Sequence, residues 1–293
     1  MRRVLVTGAN KGIGLAIVTA VLDEHEDTFV LLGTRNLDRG RVALKSLTEK
    51  HPAWADRTDV LELDVSSDDS VAKAAGQVAG KSDSQPAPLY AVVNNAGIGF
   101  GVLKSVIEVN TLGIRRVCEA FLPLLDASDG RIVNVTSAAG PNFVATCSPV
   151  RQRFFLDTQV EWASLESLIE ECLAIDGGKD AFADKGLGDG NSYGLSKACA
   201  NTYTLLLARE NPTLRINACT PGFIETDMTR PYAESEGKAP SEMGMKSPAE
   251  GTRSALFLLF GEPDGNGHYY GSDTKRSPLD RYRAPGTTPY TGE

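Results

Sequence analysis

Short apolar runs and amphipathic stretches alternate along most of this chain. Residues 4–7, 28–32, 60–64, 89–94, 131–136, 214–220 and, less distinctly, 267–270 are short, β-branched and nearly continuous in apolar character. Strands covered on both faces read this way. Between them, residues 12–24, 38–50, 67–78, 103–125, 192–210 and 248–260 read as helices. The alternation predicts an α/β fold, a doubly wound parallel sheet of about seven strands with helices on both faces. The ligand crevice of such a sheet lies beyond the carboxyl ends of its strands. No repeat or low-complexity linker divides the pattern, so residues 1–275 read as one domain.

Three segments depart from the rhythm. About fifty residues separate Ser137 from Tyr193, where a compact α/β unit needs far fewer. Within them, Leu165, Leu168, Ile169, Cys172 and Leu173 fall on one helical face, and Asp176-Gly177-Gly178 supplies a stop. Residues 141–190 therefore read as an insertion with its own helix. Residues 227–246 mix charge, Pro and Gly, and read as a mobile lid over the site. Residues 276–293 are rich in Pro, Gly, Thr and charge, as a surface-wrapping or disordered tail would be.

Composition narrows the function classes. Hydrophobic residues at 41% and charged residues at 23% are ordinary for a globular protein. A net charge of −8 argues against a nucleic-acid partner. No apolar run approaches the length of a membrane span, so no membrane partner is expected. The opening MRRVLVTG reads as a first strand rather than a signal peptide. Five cysteines with no CxxC read as structural thiols in a reduced, cytoplasmic setting. Three scattered histidines give no metal site and little support for a His-based triad.

The stretch VLVTGANKGIGLAIV, residues 4–18, sets Gly8, Gly12 and Gly14 between the first strand and the first helix. Glycines let the backbone turn sharply, and the helix start offers free N–H groups to a pyrophosphate. A tight turn without a ligand is the alternative; the order strand, glycines, helix favours a dinucleotide. At the end of the second strand stands LLGTRN, with Arg35 and no acid before Asp38. A carboxylate there would hold the ribose of NAD(H), whereas a guanidinium grips a 2′-phosphate. Lys11 and Arg39 add further positive charge. The cofactor expected is therefore NADPH/NADP+, unless Arg35 is only a solvated strand end.

Tyr193 precedes Lys197 by one helical turn, a pairing that alone means little. Three more segments stand in order: NNAG at 94–97, NVTS at 134–137 and YGLSK at 193–197. With TGANKGIG, they resemble the motif set of the short-chain dehydrogenase/reductase family over roughly residues 3–272. The long segment before YGLSK, LGTRN and NACTPGFIETDM (217–228) are most similar to its carbonyl-reductase branch, which uses NADPH. The resemblance implies a Rossmann-like sheet and assigns catalysis to Ser137, Tyr193 and Lys197, with Asn110 as a fourth member. It implies cofactor contacts from Gly8, Asn10, Lys11, Gly12, Ile13 and Gly14, and from Asp64 and Val65 beside the adenine. Asn94, Ala96 and Gly97 would line the floor, Tyr193 and Lys197 would also touch the cofactor, and Pro221, Gly222 and Thr226 would surround the nicotinamide amide. In that branch such an insertion accompanies monomers.

These residue types suit hydride transfer to a carbonyl. Charge develops on the carbonyl oxygen, and a donor must meet it. An isolated phenol, with pKa about 10, is a poor acid near neutrality. Lys197 is expected to lower it, Ser137 to hold the substrate oxygen, and Asn110 to bend its helix locally and hold a water on a proton path. Phe143, Phe223, Met228 and Tyr232 read either as an apolar pocket or as packing between lid and body. The substrates expected are small-molecule aldehydes, ketones or quinones. An alcohol dehydrogenase on a specialised hydroxyl substrate uses the same residues, and a non-catalytic NADP(H) sensor is a third reading.

Overall fold

The fold, taken from a computed structural model, is described for residues 1–80 and 89–292. Its centre is a sheet of β1 (Arg2–Val6), β2 (Thr28–Thr34), β3 (Thr58–Glu62), β4 (Ala91–Asn94), β5 (Arg131–Val135), β6 (Arg215–Cys219), β7 (Tyr269–Tyr270) and β8 (Arg276–Ser277). The spatial order is β3-β2-β1-β4-β5-β6-β7-β8. All neighbours run parallel until β8, which is antiparallel to β7. Val6 of β1 stands level with Leu32 on one side and Val93 on the other. Strand order reverses between β1 and β4, so a crevice opens beyond their carboxyl ends.

The helices are α1 (Gly12–Glu24), α2 (Leu37–Lys50), α3 (Asp68–Gly80), α4 (Leu103–Ile107), α5 (Gly113–Phe121), α6 (Ala139–Thr146), α7 (Pro149–Leu156), α8 (Trp162–Leu173), α9 (Lys179–Asp184), α10 (Ser192–Glu210), α11 (Arg230–Ser235) and α12 (Arg253–Phe260). Strand residues alternate between two cores. Leu5, Leu31, Val92 and Ile132 pack against Val71, Val117, Phe121 and Leu206 on one face. Val4, Val6, Val30 and Val93 pack against Ile17, Val21 and Leu258 on the other. Burial of each such side chain is worth roughly 1.5–3 kcal/mol.

The expected single helix over 103–125 is interrupted. A π-helical turn, Glu108–Leu112, joins α4 to α5, and Asn110 lies within it. The Asn110 side chain bonds outside its own helix, as described below, and widened turns of this kind often mark functional sites.

The insertion is more ordered than its one predicted helix. Four helices, α6 to α9, fill residues 139–184. Leu165, Leu168, Ile169 and Cys172 of α8 are buried as expected, but Leu173 is 40% exposed. The insertion grips α10: the Thr202 hydroxyl donates to the Phe155 carbonyl at 3.2 Å. Arg151 of α7 pairs with Glu171 of α8 at 2.6 Å.

The parallel sheet acquires its antiparallel edge from a tight turn. Gly271 N donates to Lys275 O at 2.8 Å, and Thr274 adopts φ +65°. The segment beyond wraps back on the body. Arg283 pairs with Asp273, whose other oxygen accepts from Gly286 N at 2.8 Å. Tyr290 N donates to Arg276 O at 3.0 Å.

Candidate active site

At the crevice, β1 runs into the glycine turn. Gly8 adopts φ +64°, and a Cβ there would sit 2.8 Å from the Ala96 Cα. The turn and the segment after β4 are laced together at this point. Thr7 Oγ1 accepts from the N–H groups of Asn95 and Ala96, both at 3.0 Å, and Asn95 Nδ2 donates to Thr7 O at 2.9 Å. Glycine at position 8 permits this contact, and α1 begins directly afterwards with its free N–H groups facing the cleft.

The cleft holds about 570 Å³. Gly8, Asn10, Lys11, Gly12, Ile13 and Gly14 line one wall, with Arg35, Asp64 and Val65 beyond them. Ala96, Gly97, Ser137, Tyr193 and Lys197 line the cleft too, as do Pro221, Gly222 and Thr226, and a Cβ on Gly12 would lie 3.6 Å from Thr226 Cγ2. The sequence-predicted set therefore meets in one place, with exceptions.

Asn94 is not on the floor. It is buried, and its Nδ2 donates to Asn134 Oδ1 at 2.9 Å and to Cys118 Sγ at 3.3 Å. As the last residue of β4 it points into the sheet's underside, and Asn95, one step beyond the strand, lines the cleft instead. The strand's alternation carried that signal. Arg39 is also absent from the lining; it is exposed on α2, and its N–H serves the Asn36 cap at 2.9 Å. Phe143 is buried in the core, edge-on to Phe155. Phe223 and Tyr232 lie outside the lining and pack as a tilted pair, 6.4 Å between centroids; Met228 does line the cleft.

Asn110 stands just beneath the floor. It accepts from Ile98 N and donates to Ile98 O, each at 2.9 Å, and Nδ2 also lies 3.0 Å from Ser196 Oγ. A Cβ on Gly97 would come within 3.2 Å of Asn110 Oδ1 and 3.5 Å of Lys197 Nζ. Asn110 thus ties the floor to the helix that carries Tyr193 and Lys197.

The electrostatics differ from the expectation that Lys197 lowers the phenol. Burial around the Tyr193 hydroxyl pushes its pKa up, opposed by a hydrogen bond with Ser137. The lysine itself moves instead. Lys197 is 3% exposed, donates to Val135 O at 3.2 Å, and is pushed down by burial to about 8. Burial disfavours each charged form, and it is the largest cause of both shifts. Tyr193 is held as a neutral donor beside a lysine that gives up its proton more readily than usual.

Asp64 is turned by its own neighbours, its Oδ1 accepting from Ser66 N at 3.0 Å and Ser66 Oγ at 2.6 Å. Arg35 is exposed at the cleft and, among the described residues, has no hydrogen bond or ion pair. Lys11 is engaged: its Nζ lies 2.8 Å from Asp227 Oδ2, a contact unseen in the sequence. The segment bearing Asp227 is clasped at its base, where Lys246 N donates to Phe223 O and Glu225 N to Lys246 O, both at 2.8 Å. The site thus offers free backbone donors at a helix start, an unpaired guanidinium and no acid at the end of β2. That set fits a phosphate-bearing dinucleotide.

The model of the short chain dehydrogenase family matches residues 2–149. This chain belongs to that family. Human carbonyl reductase [NADPH] 1 (Homo sapiens) is 30% identical over 278 residues, covering 90% of this chain and 92% of that protein. (+)-Neomenthol dehydrogenase of Arabidopsis thaliana is 31% identical over 269 residues, 78% of this chain and 84% of that one. Salutaridine reductase from Papaver somniferum superposes with a TM-score of 0.74 at 23% identity, covering 92% of this chain and 99% of that one, a likeness of fold. Placed in the short chain dehydrogenase family, the chain is an oxidoreductase. Among the described residues no helix is long and apolar enough to cross a membrane.

Proposed function

We propose that the protein is an NADPH-dependent carbonyl reductase acting on small-molecule aldehydes, ketones or quinones, with Tyr193 as proton donor. The observation that carries this reading is the convergence of Ser137, Tyr193 and Lys197 on the cleft that also holds the glycine turn and Arg35. Bound NADPH supplies the hydride. The chain's own residues supply the rest. Arg35 grips the 2′-phosphate, and the start of α1 takes the pyrophosphate. Ser137 and Tyr193 direct their hydroxyls at the substrate oxygen, where negative charge develops. A phenol raised by burial carries its proton at neutral pH, as a donor must before hydride arrives, and it gives that proton up only as negative charge develops on the substrate oxygen. Lys197, tuned to about 8, is poised to return a proton to that hydroxyl, with Asn110 fixing the floor beneath both.

The similarity to (+)-neomenthol dehydrogenase supports a second reading, an NADP-dependent alcohol dehydrogenase on a specialised hydroxyl substrate. The two share every residue named above. We further propose a monomer in the cytoplasm, with residues 1–275 as one domain and residues 227–246 as its lid. Absorbance of NADPH at a panel of carbonyls, with NADH and with NADP+ plus alcohols alongside, tests the function. No turnover in either direction, despite NADPH binding, would replace both readings with a cofactor sensor. Light scattering near 31.3 kDa is expected for the monomer.

A further inference from the structure

The geometry points to Asp227 as a determinant of cofactor selectivity: it competes with the cofactor's 2′-phosphate for Lys11. This rests on the NADP(H) reading above and adds to it a residue of the lid.

Lys11 Nζ and Asp227 Oδ2 meet at 2.8 Å across the cleft, from positions 216 residues apart. Both line the same cleft as Arg35. Their side chains are 60% and 59% exposed, so water weakens the pair. A phosphate dianion is a stronger partner for an ammonium than a solvated carboxylate.

The two partners do not lose equally on exchange. Asp227 has a second cation, since Arg230 donates to its Oδ1 at 3.0 Å. Arg230 is anchored in turn by Glu225, also at 3.0 Å. Asp227 therefore keeps a partner when Lys11 leaves. Lys11, among the described residues, has Asp227 as its one ion-pair partner. The carboxylate is held below its usual range, with Lys11 the largest cause, so it stays charged at neutral pH.

A 2′-phosphate entering beside Arg35 and Lys11 thus meets two obstacles: an ammonium already engaged and a carboxylate of like charge. Both originate in Asp227. A dinucleotide without the 2′-phosphate has less to gain from a freed Lys11. Asp227 accordingly narrows the preference for NADPH over NADH, and the lid passes from Lys11 to Arg230 as the phosphate binds.

Titration calorimetry on the full chain, at one fixed ionic strength, measures Kd for NADPH and NADH. The variants are Asp227→Asn, Lys11→Met and the double variant. Asp227→Asn is expected to tighten NADPH about two- to fivefold and NADH clearly less. In the Lys11→Met background the gain for NADPH shrinks to the smaller part that like-charge repulsion alone supplies. Equal tightening of both dinucleotides, unchanged NADPH affinity, or a gain that survives intact without Lys11 would overturn the inference. A wild-type protein with no preference for NADPH would instead overturn the cofactor reading, and the inference with it.

Discussion

Lys197 Nζ lies 3.2 Å from the Val135 carbonyl and 5.7 Å from the centre of the Tyr193 ring. One hydrogen bond to the end of β5 fixes the ammonium, and the turn of α10 sets the phenol beside it. The pair belongs to the carboxyl end of the sheet as much as to the helix.

Tyr193→Phe removes the hydroxyl and keeps the ring. The reductive kcat is expected to fall about 10²- to 10⁴-fold, the range for losing a positioned proton donor. Binding of NADPH should change little. An undiminished kcat would remove Tyr193 from the chemistry.

The lysine sets a pH dependence. Its charge is present below about 8 and lost above. The reductive kcat/KM should therefore decline as pH rises through about 8, and Lys197→Met should flatten that limb of the profile. Stability runs the other way. Between about 8 and the ordinary value of 10.5, the unfolded lysine holds a proton that the folded one has released. Folding gains from this group as pH rises through that window. At pH 7 Lys197→Met removes a desolvation cost of roughly 3 kcal/mol but orphans the Val135 carbonyl, at about 1–3 kcal/mol. Urea unfolding at pH 7 should show a variant as stable as the parent or up to about 2 kcal/mol more stable. A loss above that size would contradict a costly buried ammonium.

Arg35→Ala should raise the Kd for NADPH about 10- to 100-fold, the worth of a charge-assisted contact, and move NADH far less. Parallel losses for both cofactors would place Arg35 away from the 2′-phosphate.

Asn110→Ala leaves the Ile98 N–H and C=O without their side-chain partner. Ile98 is half-buried, so each orphan costs up to about 1–3 kcal/mol, less where water reaches it. Thermal unfolding should shift down by several degrees, and kcat should fall because the floor is no longer tied to α10. Asn110→Asp, which keeps the acceptor but loses the amide donor, should recover only part of either loss.

Gly8→Ala places a methyl against the Ala96 backbone in a left-handed conformation. A cost of roughly 1–3 kcal/mol is expected, together with weakened dinucleotide binding. Calorimetry and unfolding on the same sample separate the two effects.

Most of the architecture was legible because both-face burial gives strands a distinctive apolar run and glycines mark the first turn. The glycine wall could be placed because it joins a strand end to a helix start, whereas Ser137, Tyr193 and Lys197 could be placed only through the resemblance of NVTS and YGLSK to the family's motifs. Asn94 was misplaced by one residue: two asparagines in succession look alike until the pleat of β4 sends one inward. The local bend at Asn110 could be anticipated, but its hydrogen-bond partner, Ile98, lies on another segment and could not. The sign of the Tyr193 shift was missed for a related reason. Spacing reports proximity to a lysine, whereas burial, which dominates here, is a property of the assembled cleft. Contacts such as Lys11 with Asp227 join distant parts of the chain and leave no local trace.

The clasp at Phe223, Glu225 and Lys246 has a consequence for how the protein can change. Because the two ends of the segment between Glu225 and Lys246 are fastened to each other, its length and composition can vary with only a slow rise in closure entropy. A new covering segment grafted between the same two ends would present a different entrance to incoming molecules. The phenol, the ammonium and the glycine wall would keep their positions, so selectivity can be rebuilt separately from chemistry.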